Sequence, residues 1–184
     1  APTMKIPDNR VLYTGDCTYL FIDKLYNPGG GPYSAKVFHD HVDLLADSGV
    51  DTVLVNPNEH FAWYPSKQFP KVYENYRRGD REFFRGHIPC SFNEPEKIPD
   101  VIEAWLDEQV KFMNTFLDLE EAGVDWVAEM AKACHRRKIA PWLTIRMNDI
   151  HGSGNRQGSF MNCPLYKDLK YCLKGESLNP RDGT

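Results

Sequence analysis

Three short clusters of polar residues in this chain of 184 residues have the types and spacing to do chemistry. The first is Arg146, Asn148, Asp149 and His151, in the run Arg-Met-Asn-Asp-Ile-His-Gly. Arg and Asn donate to hydroxyls or a carboxylate, and Asp149 accepts from a hydroxyl. Alternate residues of a strand share a face, which puts Arg146 and Asn148 on the same side. The plainer reading has Asp149 cap the segment that follows and His151 sit in a solvated loop. Asn148, Asp149 and His151 also carry metal-binding atoms, but a divalent site needs further ligands, so no metal is assigned. The second cluster is Asn56, Asn58, Glu59 and His60, directly after a β-branched run. Asn-Pro-Asn is also ordinary turn chemistry, and the two readings stand level. The third candidate is Asp16, in Thr-Gly-Asp-Cys, where a tight turn explains the residue slightly better. Glu59 and Asp149 alone resemble a carboxylate pair. Nothing in the spacing fixes their separation, so no catalytic residue is assigned.

An insertion over residues 59–95 is rich in aromatics and arginine: Phe61, Trp63, Tyr64, Phe69, Tyr73, Tyr76, Phe83 and Phe84 alternate with Arg77, Arg78, Arg81 and Arg85. Exposed aromatic faces stack on flat apolar ligand surfaces, and Trp63 with Tyr64 is the best-placed platform. The competing reading packs these rings into the fold. Aromatics with arginine also suit single-stranded nucleic acid. A net charge of −4 and the lack of an RNA-binding motif argue against that partner, and the acidic balance argues against an anionic membrane surface. No apolar run approaches the roughly 20 residues of a membrane span. The five cysteines (Cys17, Cys90, Cys134, Cys163 and Cys172) contain no C-x-x-C pair, which excludes a zinc ribbon or thioredoxin motif. Cys134 lies in a helical pattern and reads as a small buried hydrophobe. Whether Cys163 and Cys172 pair is open.

The elements that must position these residues are legible in outline. Residues 10–13 read as a short buried strand. Ser34 reads as an N-cap, Val37, Phe38, His41, Val42 and Leu45 follow at helical spacing, and Gly49 closes the helix. His39 and His41, mid-helix, are expected on its surface or partly buried, not as ligands. Residues 50–55 form a β-branched strand ending at Asn56. A long amphipathic helix is expected from about Glu96 to Ala122, and Asp125 caps another running through Arg136. Residues 139–146 form a third strand. Strand–helix–strand units with short joints make parallel sheets, so the three strands are expected as parallel neighbours in chain order.

Polar residues at the C-terminal ends of parallel strands suit either a TIM barrel or an open doubly wound sheet. The absence of G-x-G-x-x-G and of a P-loop leans away from a nucleotide fold and leaves no cofactor expected. The Gly-Pro-Tyr-Ser helix start, the strand Val-Asp-Thr-Val-Leu-Val-Asn-Pro-Asn and above all Arg-Met-Asn-Asp-Ile-His-Gly resemble the N-terminal part of hypothetical glycoside-hydrolase-like TIM-barrel proteins of bacteria, a largely uncharacterised family. The resemblance spans most of residues 10–165. It implies a sugar-directed (β/α)₈ barrel present as about three βα units over residues 1–184, stopping part-way through the fold. The implied substrate-binding set is Asp16, Asn56, Asn58, His60, Trp63, Arg146, Asn148, Asp149 and His151. The catalytic carboxylates are implied on later strands, beyond residue 184. The alternatives are a metal-dependent barrel hydrolase and a non-catalytic sugar-binding barrel. The Ala-Pro-Thr start fits a removed leader, which would place the protein outside the cytoplasm. Without a leader it would be cytoplasmic.

Overall fold

The computed structural model describes residues 10–22, 26–28, 31–57, 60–88, 95–145 and 161. These fall into two compact units. One holds residues 10–57 and 118–145 of this set, and the other holds residues 60–117.

The first unit is a three-stranded parallel sheet, β1 (Leu12–Gly15), β2 (Thr52–Val55) and β3 (Ala140–Leu143), in the order β1-β2-β3. Parallel pairing in chain order is as expected, and the fold is α/β. Strand β1 lies two residues later than its sequence pattern suggests. Its ladder starts where the Val11 carbonyl accepts the Asp51 N–H at 3.1 Å, while the Val11 N–H is held by the Asp51 carboxylate at 3.0 Å. The one-turn helix α1 (Tyr19–Ile22) follows β1, and α2 (Ala35–Asp47) joins β1 to β2. Ser34 stands at the N-cap in extended backbone, but its side chain makes no capping bond. Gly49, at φ +85°, takes the left-handed turn that ends α2.

Register decides which residues share a face. Tyr13, Val53 and Pro141 form one row, and Gly15, Val55 and Leu143 the next on the same side. The Tyr13 ring meets His41 of α2. Val55, Pro141 and Leu143, with Trp142 at the strand edge, line an apolar cleft with Val127, Met130 and Cys134 of α5 (Trp126–Arg136). This is therefore the helix-covered face. Its core centres on Trp126, stacked on Phe38 at 5.7 Å and met edge-on by Phe21 at 5.2 Å. Outside that core, α2 and α5 are joined by His39–Glu129 (2.9 Å) and by Asp43 and Asp47 with Arg136 and Arg137. The other face carries Leu12, Leu54 and Trp142, and Leu12 and Trp142 are 55% and 56% exposed.

The second unit is built on aromatic packing. It contains α3 (Glu82–Arg85) and most of α4 (Pro99–Glu121), which a 3₁₀ turn (Pro95–Lys97) precedes. Trp63 packs edge-on against Phe112 at 5.6 Å, and Tyr73 stacks parallel on Phe116 at 5.5 Å. Tyr76 hydrogen-bonds Asn114 of α4 at 2.9 Å. Arg81 and Arg85 of the insertion both reach Glu103 of α4. The unit runs well past the expected insertion of residues 59–95, because Phe112 and Phe116 of α4 complete its aromatic core.

Candidate functional site at the strand ends

Parallel strands end on one side, so the loops after β1, β2 and β3 leave the sheet along the same edge. Asp16 stands one residue past β1, exposed, and its carboxylate accepts from Thr18 Oγ1 at 2.8 Å. Asn56 stands one residue past β2 and is 6% exposed. Its side-chain Oδ1 is buried with no hydrogen-bond partner among the described residues. Burying an amide oxygen without a donor costs about 1–3 kcal/mol, so this acceptor at a strand end is open to a donor, from water or from a ligand hydroxyl. Past β3, the Thr144 N–H donates to the Val55 carbonyl at 2.8 Å, which carries the ladder one step beyond the strand.

Cys17 lies between the two polar residues. It is 2% exposed and holds φ +64°, a left-handed conformation that a non-glycine residue adopts at a cost of roughly 1 kcal/mol. Burial pushes its thiol up to about 11; the Asn56 backbone N–H works against that shift and the Asp16 charge adds to it. The sulfur is a neutral thiol near neutral pH and donates to the Gly15 carbonyl at 3.4 Å, so it fixes the loop and is a poor nucleophile.

Behind this edge, on the helix-covered face, lies a buried polar chain that the sequence reading did not single out. Tyr13 Oη and Tyr19 Oη are 2.5 Å apart, and Tyr19 Oη lies 3.1 Å from His41 Nε2. The Tyr26 ring meets both Tyr19 and His41 at 5.5 Å. His41 is 2% exposed, and burial lowers its pKa to about 4. The imidazole is therefore neutral, and its Nδ1 has no hydrogen-bond partner among the described residues. Burial, followed by the Tyr13 hydrogen bond, raises the Tyr19 phenol well above its ordinary value. Gly15 makes the contact possible: a Cβ there would stand 2.9 Å from the Tyr13 ring and 3.0 Å from Tyr19 Oη. The one available signal was His41's place in the apolar stripe with Phe38, Val42 and Leu45, which puts it inward and not on the helix surface.

Of the expected binding set, Asp16 and Asn56 come together at the strand ends of the first unit. His60, half-buried, and Trp63 belong to the second unit. Trp63 is 2% exposed and enclosed by the Phe112 and Phe116 rings, so it serves the core of that unit. Tyr64 beside it is half-buried. Asn58, Arg146, Asn148, Asp149 and His151 lie outside the described residues. Among the described residues, no three His, Cys, Asp or Glu side chains come together to hold a metal ion, and no helix is long and apolar enough to cross a membrane. No protein-family model matches the chain, and no curated protein matches it.

Proposed function

We propose that this chain forms the first units of a (β/α)₈ barrel that binds a carbohydrate, and acts on it as a glycoside hydrolase, at the C-terminal edge of its sheet. One observation carries the site: the buried Oδ1 of Asn56, without a hydrogen-bond partner among the described residues, with Asp16 at the end of the adjacent strand, each one residue past a parallel strand. A sugar presents many hydroxyls, and a hydroxyl donating to Asn56 while accepting elsewhere satisfies that oxygen. The resemblance of the Gly-Pro-Tyr-Ser start and of Arg-Met-Asn-Asp-Ile-His-Gly to sugar-directed barrels supports the same reading. The barrel is supported by the pattern of cover on the sheet. Helices pack one face, and Leu12, in a row of the opposite face, is 55% exposed, an apolar side chain that a barrel interior would bury. Hydrolysis needs two carboxyls, about 5–5.5 Å apart for retention or about 6.5–9.5 Å for inversion. On this reading both are carried by later strands, and Asp16 contributes to binding.

The test uses the full-length protein and a panel of oligosaccharides. Asn56→Ala is expected to weaken binding by about 1–3 kcal/mol while leaving the melting temperature nearly unchanged, because it deletes an acceptor that the fold does not use. Unchanged binding with a large loss of stability makes Asn56 structural and removes the site. Glycan release by the wild type separates an enzyme from a sugar-binding protein.

A further inference from the structure

Among the described residues of the second unit, one large aromatic side chain stands mostly outside the core. Trp63, Tyr73, Tyr76 and Phe84 are buried, and Phe61, Tyr64 and Phe83 are half-buried. Phe69 is 65% exposed. It stands at the tip of a loop that is closed at its base. Ala62 and Lys71 form an isolated β-bridge, with the Ala62 N–H donating to the Pro70 carbonyl and the Val72 N–H donating to the Ala62 carbonyl, both at 3.0 Å. Below the bridge the Lys71 N–H donates to the Glu74 carboxylate at 3.1 Å, and the Lys71 ammonium lies over the Tyr73 ring. The tip has its own restraint. Ser66 Oγ accepts from the Gln68 N–H at 3.2 Å and from the Phe69 N–H at 2.9 Å. Pro65 and Pro70 bracket the turn and limit its backbone freedom further.

A single exposed apolar residue on a protein surface is ordinary. A phenyl ring presented to water from a backbone fixed on both sides is a different object. The ordering entropy that a ligand would otherwise have to overcome is already spent in the free protein. We propose that Phe69 is a stacking platform for a carbohydrate ring, a binding position separate from the strand-end residues. The chemistry fits the class. One face of a pyranose is a patch of C–H groups that packs flat on an aromatic ring, and its hydroxyl rim needs donors and acceptors. Gln68 and Lys67, both exposed on the same tip, supply an amide and an ammonium. This inference rests on the carbohydrate reading above, but it concerns a different unit of the chain and stands or falls by a different residue.

The experiment titrates the full-length protein with an oligosaccharide panel and measures affinity for the wild type, Phe69→Ala and Phe69→Trp, each with a thermal melt. Phe69→Ala is expected to lose roughly tenfold in affinity, the worth of one good ring contact, with no change in melting temperature. Phe69→Trp is expected to restore or exceed the wild-type affinity. Ser66→Ala, which frees the tip but keeps the ring, is expected to fall between them. Equal affinity in wild type and Phe69→Ala overturns the platform while leaving the carbohydrate reading in place. A wild type that binds no member of the panel overturns both. If Phe69→Ala changes the oligomeric state and not sugar affinity, the ring is a protein contact and the proposal fails.

Discussion

Gly15 shows how much of the buried polar chain depends on one missing carbon. Any side chain there meets the Tyr13 ring at 2.9 Å and Tyr19 Oη at 3.0 Å, inside van der Waals contact, and the two tyrosines are tied to each other and to His41. Gly15→Ala is expected to destabilise the fold by about 1–3 kcal/mol, the usual cost of overpacking, read from urea denaturation. A stability unchanged by the substitution would mean that the tyrosines move aside freely. His41 makes a second prediction at the same scale. Its folded pKa is about 4, below the ordinary 6.5, so between those values the unfolded chain takes up a proton that the folded chain refuses. The stability due to this residue is complete above about pH 6.5 and is lost as the pH falls toward 4. The full effect is on the order of 3 kcal/mol. The His41→Gln variant keeps a neutral hydrogen-bonding group and is expected to flatten that part of the stability–pH curve. An identical slope in variant and wild type would place the titration elsewhere.

At the scale of elements, the two N-caps offer a matched contrast. Asp125 Oδ1 accepts from the Val127 N–H at 3.1 Å and the Ala128 N–H at 3.2 Å, whereas Ser34 occupies the same position on α2 without a side-chain bond. Asp125→Ala is expected to cost about 1 kcal/mol, and Ser34→Ala no more than a few tenths, by denaturant midpoint at constant m. Both caps were legible in the sequence as cap residues. Only the coordinates separate the one that bonds from the one that does not, because residue type fixes capacity and local geometry fixes use. The same division runs through the other elements. Strand β2 was readable from its β-branched run, and α4 and α5 from the stripes that bury Ile102, Leu106, Phe112 and Phe116, and Trp126, Met130 and Cys134. One-turn helices such as α1 and α3 are too short to show a period, and buried Phe21 and Phe84 hold them by tertiary packing. In the candidate site, Asp16 and Asn56 were legible because strand ends can be read from sequence. The Tyr13–Tyr19–His41 chain was not, since it needs the sheet register and α1 together. Trp63 and Phe69 have the same kind of side chain in the same insertion, so composition alone cannot tell core from platform.

For the whole molecule, the bare sheet face sets the behaviour in solution. Leu12, Trp142 and, along the β3 edge, Leu143 and Ile145 expose apolar surface beside backbone groups that no strand pairs among the described residues. Pro141 removes one outward donor from that edge, which leaves the Leu143 and Ile145 N–H groups to receive a neighbour. The chain of 184 residues is expected to self-associate in sedimentation velocity, and Leu12→Lys with Trp142→Lys to shift it toward monomer. A wild type that stays monomeric at every concentration would show that the face needs no cover. The tryptophans also give the protein an optical read-out of its own. Of the four, Trp126 is 1% exposed and Trp63 2%, Trp105 is half-buried, and Trp142 is 56% exposed. Iodide should therefore quench Trp142 and spare the buried pair, and the emission maximum of the quenched protein should move to the blue. Covering Trp142 would shield it and reduce that quenching, so a fluorimeter could follow the arrival of whatever packs on this side chain.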